Sequence, residues 1–184
     1  MRYGEKQIQA RDGRKFILRS PEEKDAETMI AYLKQTNTET VFLTMYPEEI
    51  TLTLEKEQEI LADYLNADNK VMITIFDGER ALGNAGISPI SPKFKVRHRA
   101  GLGIALCSEI WEQGLGTLLL TEALSVAEGM GYEQVELGVY SENRRARHLY
   151  EKSGFREIGR IPNAFKLKDG TYQDEILMVK QTKN

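Results

Sequence analysis

The sequence predicts a mixed α/β (α+β) fold, a central sheet with helices packed on its faces. Three observations predict it. Short apolar runs bounded by glycine-containing turns recur along the chain. Other segments carry apolar residues at helical spacing. No internal repeat, low-complexity tract or Pro/Gly/Ser-rich linker divides the 184 residues. That length is about 1.2 times the ~150-residue prior for one domain, so a single domain over 1–184 is expected. It can bury a core without disulfide or metal staples.

The elements follow in order. QIQA, Asp12-Gly13 and RKFILRS read as a hairpin, because Asp-Gly suits the positive φ values of a tight turn. Ser20-Pro21-Glu22-Glu23 reads as a helix start, Ser as N-cap and Pro at the first helical position. That helix should run to about Gln35, with Ala26, Met29, Ile30 and Leu33 on one face. Residues 37–52 hold Pro47 and no period, hence a loop. A second helix is expected from about Leu54 to Asn66. Val71–Phe76, Ala81–Pro89 and Arg97–Cys107 read as strands. A long helix over about Gly114–Met130 places Leu115, Leu119, Ala123, Val126 and Ala127 at helical spacing. A strand at Gln134–Tyr140 follows, then a short helix over Asn143–Ser153 stopped by Gly154. Strands at Phe155–Ile161 and Gln173–Lys180 flank a turn at Asp169-Gly170.

Composition narrows the function. Lys+Arg 25 against Asp+Glu 28 gives a net charge of −3, which argues against nucleic acid or an anionic membrane as the main partner. The single Cys107 excludes a disulfide framework and a cysteine zinc cluster, and with only His98 and His148 no metal site is expected. No apolar run approaches the ~20 residues that span a bilayer. Residues 1–15 contain no apolar signal-peptide core. A cytoplasmic protein is expected.

Two stretches carry chemistry. Glu112-Gln113-Gly114-Leu115-Gly116-Thr117 lies where a strand passes into the long helix. Its glycines let backbone approach a ligand, and unpartnered first-turn N–H groups with the helix dipole make an anion site suited to a pyrophosphate. It is no Walker loop, and Leu119 stands where a dinucleotide fingerprint needs a third glycine. Read alone, the stretch fits a plain tight turn equally well. Further on, Asn143 and Tyr150 are seven residues apart, two turns along one helix face. Read alone, they are a cap and a core tyrosine.

Together these stretches resemble the GNAT N-acetyltransferase superfamily over roughly residues 15–180, most densely in GIALCSEIWEQGLGT (103–117) and VYSENRRARHLYEKSGF (139–155). KDGTYQDEILMVK (168–180) is similar to the final hairpin of bacterial members that acetylate small amines or amino acids. The resemblance implies a seven-stranded, mostly antiparallel mixed sheet with splayed fourth and fifth strands, flanked by about four helices. The core would be about 15–180, with 1–14 as an N-terminal extension. It implies acetyl-CoA as cosubstrate, with Ile104, Ala105 and Leu106 pairing their backbone with pantetheine and Glu112, Gln113, Gly114, Leu115, Gly116 and Thr117 holding the pyrophosphate. Asn143 would bond the cofactor arm, Tyr150 would face its sulfur as proton donor, and a homodimer fits the family pattern.

Two positions depart from that pattern. Trp111 stands where the phosphate motif often has Gln or Arg, and Gly138 stands where some members carry a glutamate base. A lysine-like amine, pKa ~10.4, is only about 0.04% neutral at pH 7, whereas an α-amine near 7.8 is ~14% neutral. A chain without that base therefore tilts towards an amino acid or peptide N-terminus as acceptor. Glu109 and Glu136 read mainly as solvated carboxylates, with water-relayed bases as the minor alternative. Arg144, Arg145 and Arg147 read as a solvated helix face or as phosphate partners; Lys93, Lys95, Arg97, His98 and Arg99 read as an exposed basic run; Cys107 reads as a buried thiol. The acceptor pocket is expected from residues 35–50, the strand near Asn84 and the final hairpin, with Thr38–Tyr46 selecting the acceptor.

The expected activity is direct acetyl transfer from acetyl-CoA to a primary amine of a small molecule, amino acid or peptide. The alternatives are a ribosomal-type protein N-terminal acetyltransferase and a non-catalytic acyl-CoA sensor.

Overall fold

A computed structural model describes residues 1–182. Eight strands form one sheet in the order β1-β2-β3-β4-β5-β6-β8-β7. They are β1 (Lys6–Gln9), β2 (Lys15–Arg19), β3 (Val71–Asp77), β4 (Arg80–Pro89), β5 (Arg99–Leu106), β6 (Gln134–Tyr140), β7 (Arg156–Lys166) and β8 (Tyr172–Gln181). Four helices accompany them: α1 (Ala26–Glu39), α2 (Leu54–Asn66), α3 (Leu115–Gly129) and α4 (Arg144–Lys152). All neighbouring strands are antiparallel except β5 and β6. The described residues contain no helix long and apolar enough to cross a membrane.

The sheet has one strand more than the seven expected, because the N-terminal hairpin adds β1 along β2 (Ile8↔Phe16). The parallel pair is accordingly fifth and sixth in chain order. Its ladder holds only at Arg99↔Gln134, Ala100↔Val135 and Gly101↔Glu136. Beyond those pairs the strands diverge, and β5 continues to Leu106 bonded to β4 alone. The C-terminal chain doubles back so that β8, not β7, lies beside β6. That insertion brings residues 173–181 next to the split.

The start of the first helix differs from expectation. Ser20 is not its cap: its hydroxyl accepts from Tyr3 N–H (2.9 Å) and donates to Met72 O (2.8 Å), bonding the segment to the sheet. A single 3₁₀ turn at Glu23–Asp25 begins with Glu22 instead, whose N–H donates to Asp25 Oδ2 (2.7 Å). Asp25 also takes both arms of Arg19 (2.6 and 2.9 Å). α1 then runs four residues past the expected Gln35, to Glu39. α2 matches its expected span and is capped by Thr53, which accepts from Lys56 N–H. β7 is longer than read, with Asn163 at φ 53° inside an irregular stretch.

Val71, Ile73 and Ile75 of β3 are fully buried, and so are Leu119, Leu120 and Ala123 of α3. Several polar groups share the interior, among them Thr74 and Glu57. Glu57 on α2 is 3% exposed, and burial pushes its carboxyl up to about 7. The folded state therefore keeps a proton that the unfolded chain has lost between its ordinary pKa and about 7, so stability falls as pH rises through that window. Glu57→Gln removes the penalty. Above pH 7 the variant should be more stable by about 1–2 kcal/mol, a Tm gain of roughly 2–6 °C, with no gain at pH 4. Thermal melts at both pH values check this, and equal shifts would disprove it.

Candidate active site

The split between β5 and β6 is the centre of the site. Along β6, Val135, Leu137 and Val139 join the core that includes α3, Tyr150 and Phe155, while Glu136, Gly138 and Tyr140 alternate to the opposite face. Two cavities meet there and share Leu102–Ala105 of β5 and Gly138 of β6 as walls. One, about 560 Å³, extends over the start of α3 and along α4. The other, about 790 Å³, extends towards α1 and α2, past Tyr32, Asn37, Tyr64 and Asn84. Two elongated reactants could enter from opposite sides and touch at the split.

The start of α3 is built from strained backbone. Glu112 sits at φ 63°, a left-handed conformation costly for a non-glycine residue, and Gly114 caps α3 at φ 81°. The helix N-terminus thus opens onto the smaller cavity with Gly114, Gly116 and Thr117 in its wall. Arg11 reaches the same place. Its N–H donates to Gln113 O (3.1 Å), and a Cβ added to Gly114 would lie 3.3 Å from its Nε. Sequence reading missed Arg11 because residues 1–14 looked like an extension. Only the docking of the hairpin turn, where Asp12 N–H also donates to Gln113 Oε1 (3.1 Å), reveals it.

Nine of the eleven residues expected at the cofactor line this cavity. Gln113 and Leu115 do not: the Gln113 side chain is taken by Asp12, and Leu115 is 1% exposed in the core. Only their backbone is available there. Two of the β5 carbonyls already accept, Ala105 O from the Tyr32 hydroxyl and Leu106 O from the Trp111 indole N–H (both 2.8 Å). Trp111 thus ties the end of β5 to the loop before α3. Its ring also carries the Arg145 guanidinium at 3.7 Å, which brings Arg145 to the cavity wall.

Asn143 is the N-cap of α4, its Oδ1 accepting from Ala146 N–H (3.2 Å). Asn143 lines the cavity, and that bond leaves its amide N–H groups unused. Tyr150 is 7% exposed and packs edge-on against Phe155 (5.8 Å). Burial raises its hydroxyl to about 12. The other candidates separate cleanly. Glu136 is gripped by Arg99, with Nη2 to Oε2 at 2.6 Å, and that partner lowers its pKa. Glu109 pairs with Arg80 (2.7 Å). Cys107 is buried and its thiol is raised to about 12, chiefly by burial, so it stays protonated. Arg147 pairs with Glu157 (3.7 Å).

The segment after α1 borders both cavities, Phe42 at the smaller, Met45 at the larger and Leu43 and Thr44 at both. Phe42 meets Tyr140 edge-on (5.8 Å), Tyr140 donates to Leu43 O (3.2 Å), and Phe165 of β7 stacks on Tyr140 at 3.7 Å. Tyr46 Oη accepts from Lys168 N–H (2.9 Å) at the β7–β8 tip. Leu43, Thr44 and Met45 line the larger cavity with Asn84, Leu177 and Met178, so the segments expected to shape an acceptor pocket converge on it.

Residues 15–156 match the model of the acetyltransferase (GNAT) domain family. The chain belongs to the GNAT acetyltransferase family. A GNAT-family acetyltransferase from Streptococcus pneumoniae superposes with a TM-score of 0.86 at 31% identity, over 90% of this chain and 99% of that one. A phosphinothricin acetyltransferase from Sinorhizobium meliloti, solved in complex with acetyl-CoA, gives 0.76 at 17% identity over 90% and 88%. Mycothiol acetyltransferase from Beutenbergia cavernae is 50% identical over 46 residues, which cover 25% of this chain and 16% of that protein. The chain thus spans well under two thirds of that relative's length, and the split between β5 and β6 lies inside the residues that match the GNAT model.

Proposed function

We propose that this GNAT chain transfers acetyl from acetyl-CoA directly to a primary amine of a small molecule, amino acid or peptide, with both substrates bound at once. The observation that carries the reading is the meeting of two cavities at the β5–β6 split, where Gly138 belongs to both walls.

The smaller cavity suits the cofactor. The α3 N-terminus, Arg11 and Arg145 present positive potential to a pyrophosphate. The diverging edge of β5 offers backbone groups from Leu102 to Leu106 to the pantetheine amides. Asn143 contributes its free amide, and the Tyr150 hydroxyl faces the sulfur. In the larger cavity the acceptor nitrogen is held against the thioester carbonyl, so positioning supplies much of the rate. A backbone N–H near Leu106 polarises the carbonyl oxygen.

The experiment is release of free thiol from acetyl-CoA across amino acids, polyamines, aminoglycosides and short peptides. Saturable release with one class is the expected result and names the acceptor. Tight acetyl-CoA binding with no release from any amine would overturn the reading.

A further inference from the structure

We propose that Glu175, carried by β8, is the carboxylate that takes the proton from the acceptor nitrogen, an inference that rests on the acetyl-transfer reading above. In the β6–β8 ladder Glu175 stands opposite Tyr140, and Leu177 opposite Gly138. These four residues share the sheet face that carries Glu136, away from the core. The Glu175 side chain leans back along the ladder and lies over Gly138. A Cβ built on Gly138 would come 1.9 Å from its Oε1, 2.8 Å from its Cδ and 3.2 Å from its Cγ.

Gly138 is not in a left-handed conformation, so its backbone does not require glycine. What the missing side chain provides is room for this carboxylate. Glu175 also differs from the acids around it. Glu136 is held by Arg99, Asp174 by Arg160 and Glu157 by Arg147. No ion pair or hydrogen bond engages the Glu175 carboxylate among the described residues. It lines the same cavity as Tyr150 and Asn143, above the one β6 residue common to both cavities. Its charge is felt locally: burial first, then Tyr46 and Glu175, raise the Tyr140 hydroxyl.

The amine gives up its ammonium proton to solvent and binds neutral beside this unpaired carboxylate, its lone pair free for the thioester carbonyl. As the C–N bond forms, the nitrogen becomes positively charged and far more acidic than the free ammonium, and Glu175 takes one of its protons. The C–S bond breaks and sulfur departs as thiolate, hydrogen-bonded by Tyr150. The thiolate collects a proton from water, to which Glu175 returns the one it took. Nitrogen loses one proton, sulfur gains one, and no other reactant is required.

Four proteins test this with the acceptor found in the thiol-release panel: wild type, Glu175→Gln, Gly138→Ala, and the double variant Gly138→Glu with Glu175→Gly, which moves the carboxylate from β8 to β6. Glu175→Gln should lower kcat about 100-fold or more with acetyl-CoA affinity within about twofold. Gly138→Ala should displace the Glu175 side chain from its carboxylate back to Cγ, keep the fold, and cost at least about tenfold in kcat. The double variant should exceed Glu175→Gln by about tenfold, which a purely structural role for Glu175 would not produce. A wild type that turns over while Glu175→Gln stays within threefold of it overturns the assignment alone, as does a double variant no faster than Glu175→Gln. A wild type inactive on every amine overturns the acetyl-transfer reading with it.

Discussion

Tyr150→Phe should lower turnover about 100-fold while acetyl-CoA affinity stays within about threefold. The hydroxyl is the only group deleted, and the ring keeps its contact with Phe155. With Tyr150 raised to about 12 by burial, full proton transfer to a thiolate of pKa ~8.5 is uphill by ~3.5 units, or ~5 kcal/mol. In the proposed transfer the hydroxyl serves as a hydrogen-bond donor to the departing sulfur. A donor aimed at developing charge in a dry site is worth about 2.7–4 kcal/mol, which sets the scale of the loss. Because the group stays protonated up to about 12, the wild-type kcat should show no decline from Tyr150 between pH 6 and 9. Steady-state kinetics with calorimetric titration of acetyl-CoA separates the two effects. Near-normal turnover in the variant would remove Tyr150 from the mechanism.

Gly114→Asp should raise the Kd for acetyl-CoA about 100-fold. The residue caps α3 at φ 81°, where a side chain is strained by about 1–3 kcal/mol. Its Cβ would crowd Arg11 at 3.3 Å, and its carboxylate would both neutralise that guanidinium and oppose the pyrophosphate. Two like charges ~5 Å apart near a protein surface repel by about 3 kcal/mol. Gly116→Ala is the instructive partner. Its Cβ would touch only Leu149 at 3.6 Å and Leu106 at 4.0 Å, ordinary contacts that the protein absorbs, so weaker binding there reports the ligand itself. Titration of both variants, with circular dichroism to show that α3 persists, decides. Unchanged affinity in Gly114→Asp would place the pyrophosphate elsewhere.

Much of this was legible because it is local. The period of α3, the Asn143 cap and the glycines before α3 are written in consecutive residues, and the structure keeps them nearly in register. Ser20 shows the limit of local grammar. It satisfies every rule for a helix cap, yet its hydroxyl joins Tyr3 and Met72, partners 17 and 52 residues away. Arg11 and Glu175 were missed for the same reason. Nothing near Arg11 signals that its turn docks on Gln113. Nothing near Glu175 signals that β8 inserts between β6 and β7. Gly138 was noticed as a missing acid, and that suggested an α-amine acceptor. The proton that Glu175 would take leaves only after attack, so the cost of presenting a neutral amine still favours an α-amine over a lysine-like one.

The three ladder pairs that still join β5 to β6 act as the spine of a half-open book. One cover carries β5, the α3 N-terminus and Arg11; the other carries β6, α4 and β8, and with them Asn143, Tyr150 and Glu175. In the proposed transfer the carbonyl lies against one cover and the proton-handling groups sit on the other. A small rotation at the spine therefore changes every reactive distance together. Arg99 and Glu136, bonded across that spine, add a side-chain tie to its three backbone pairs.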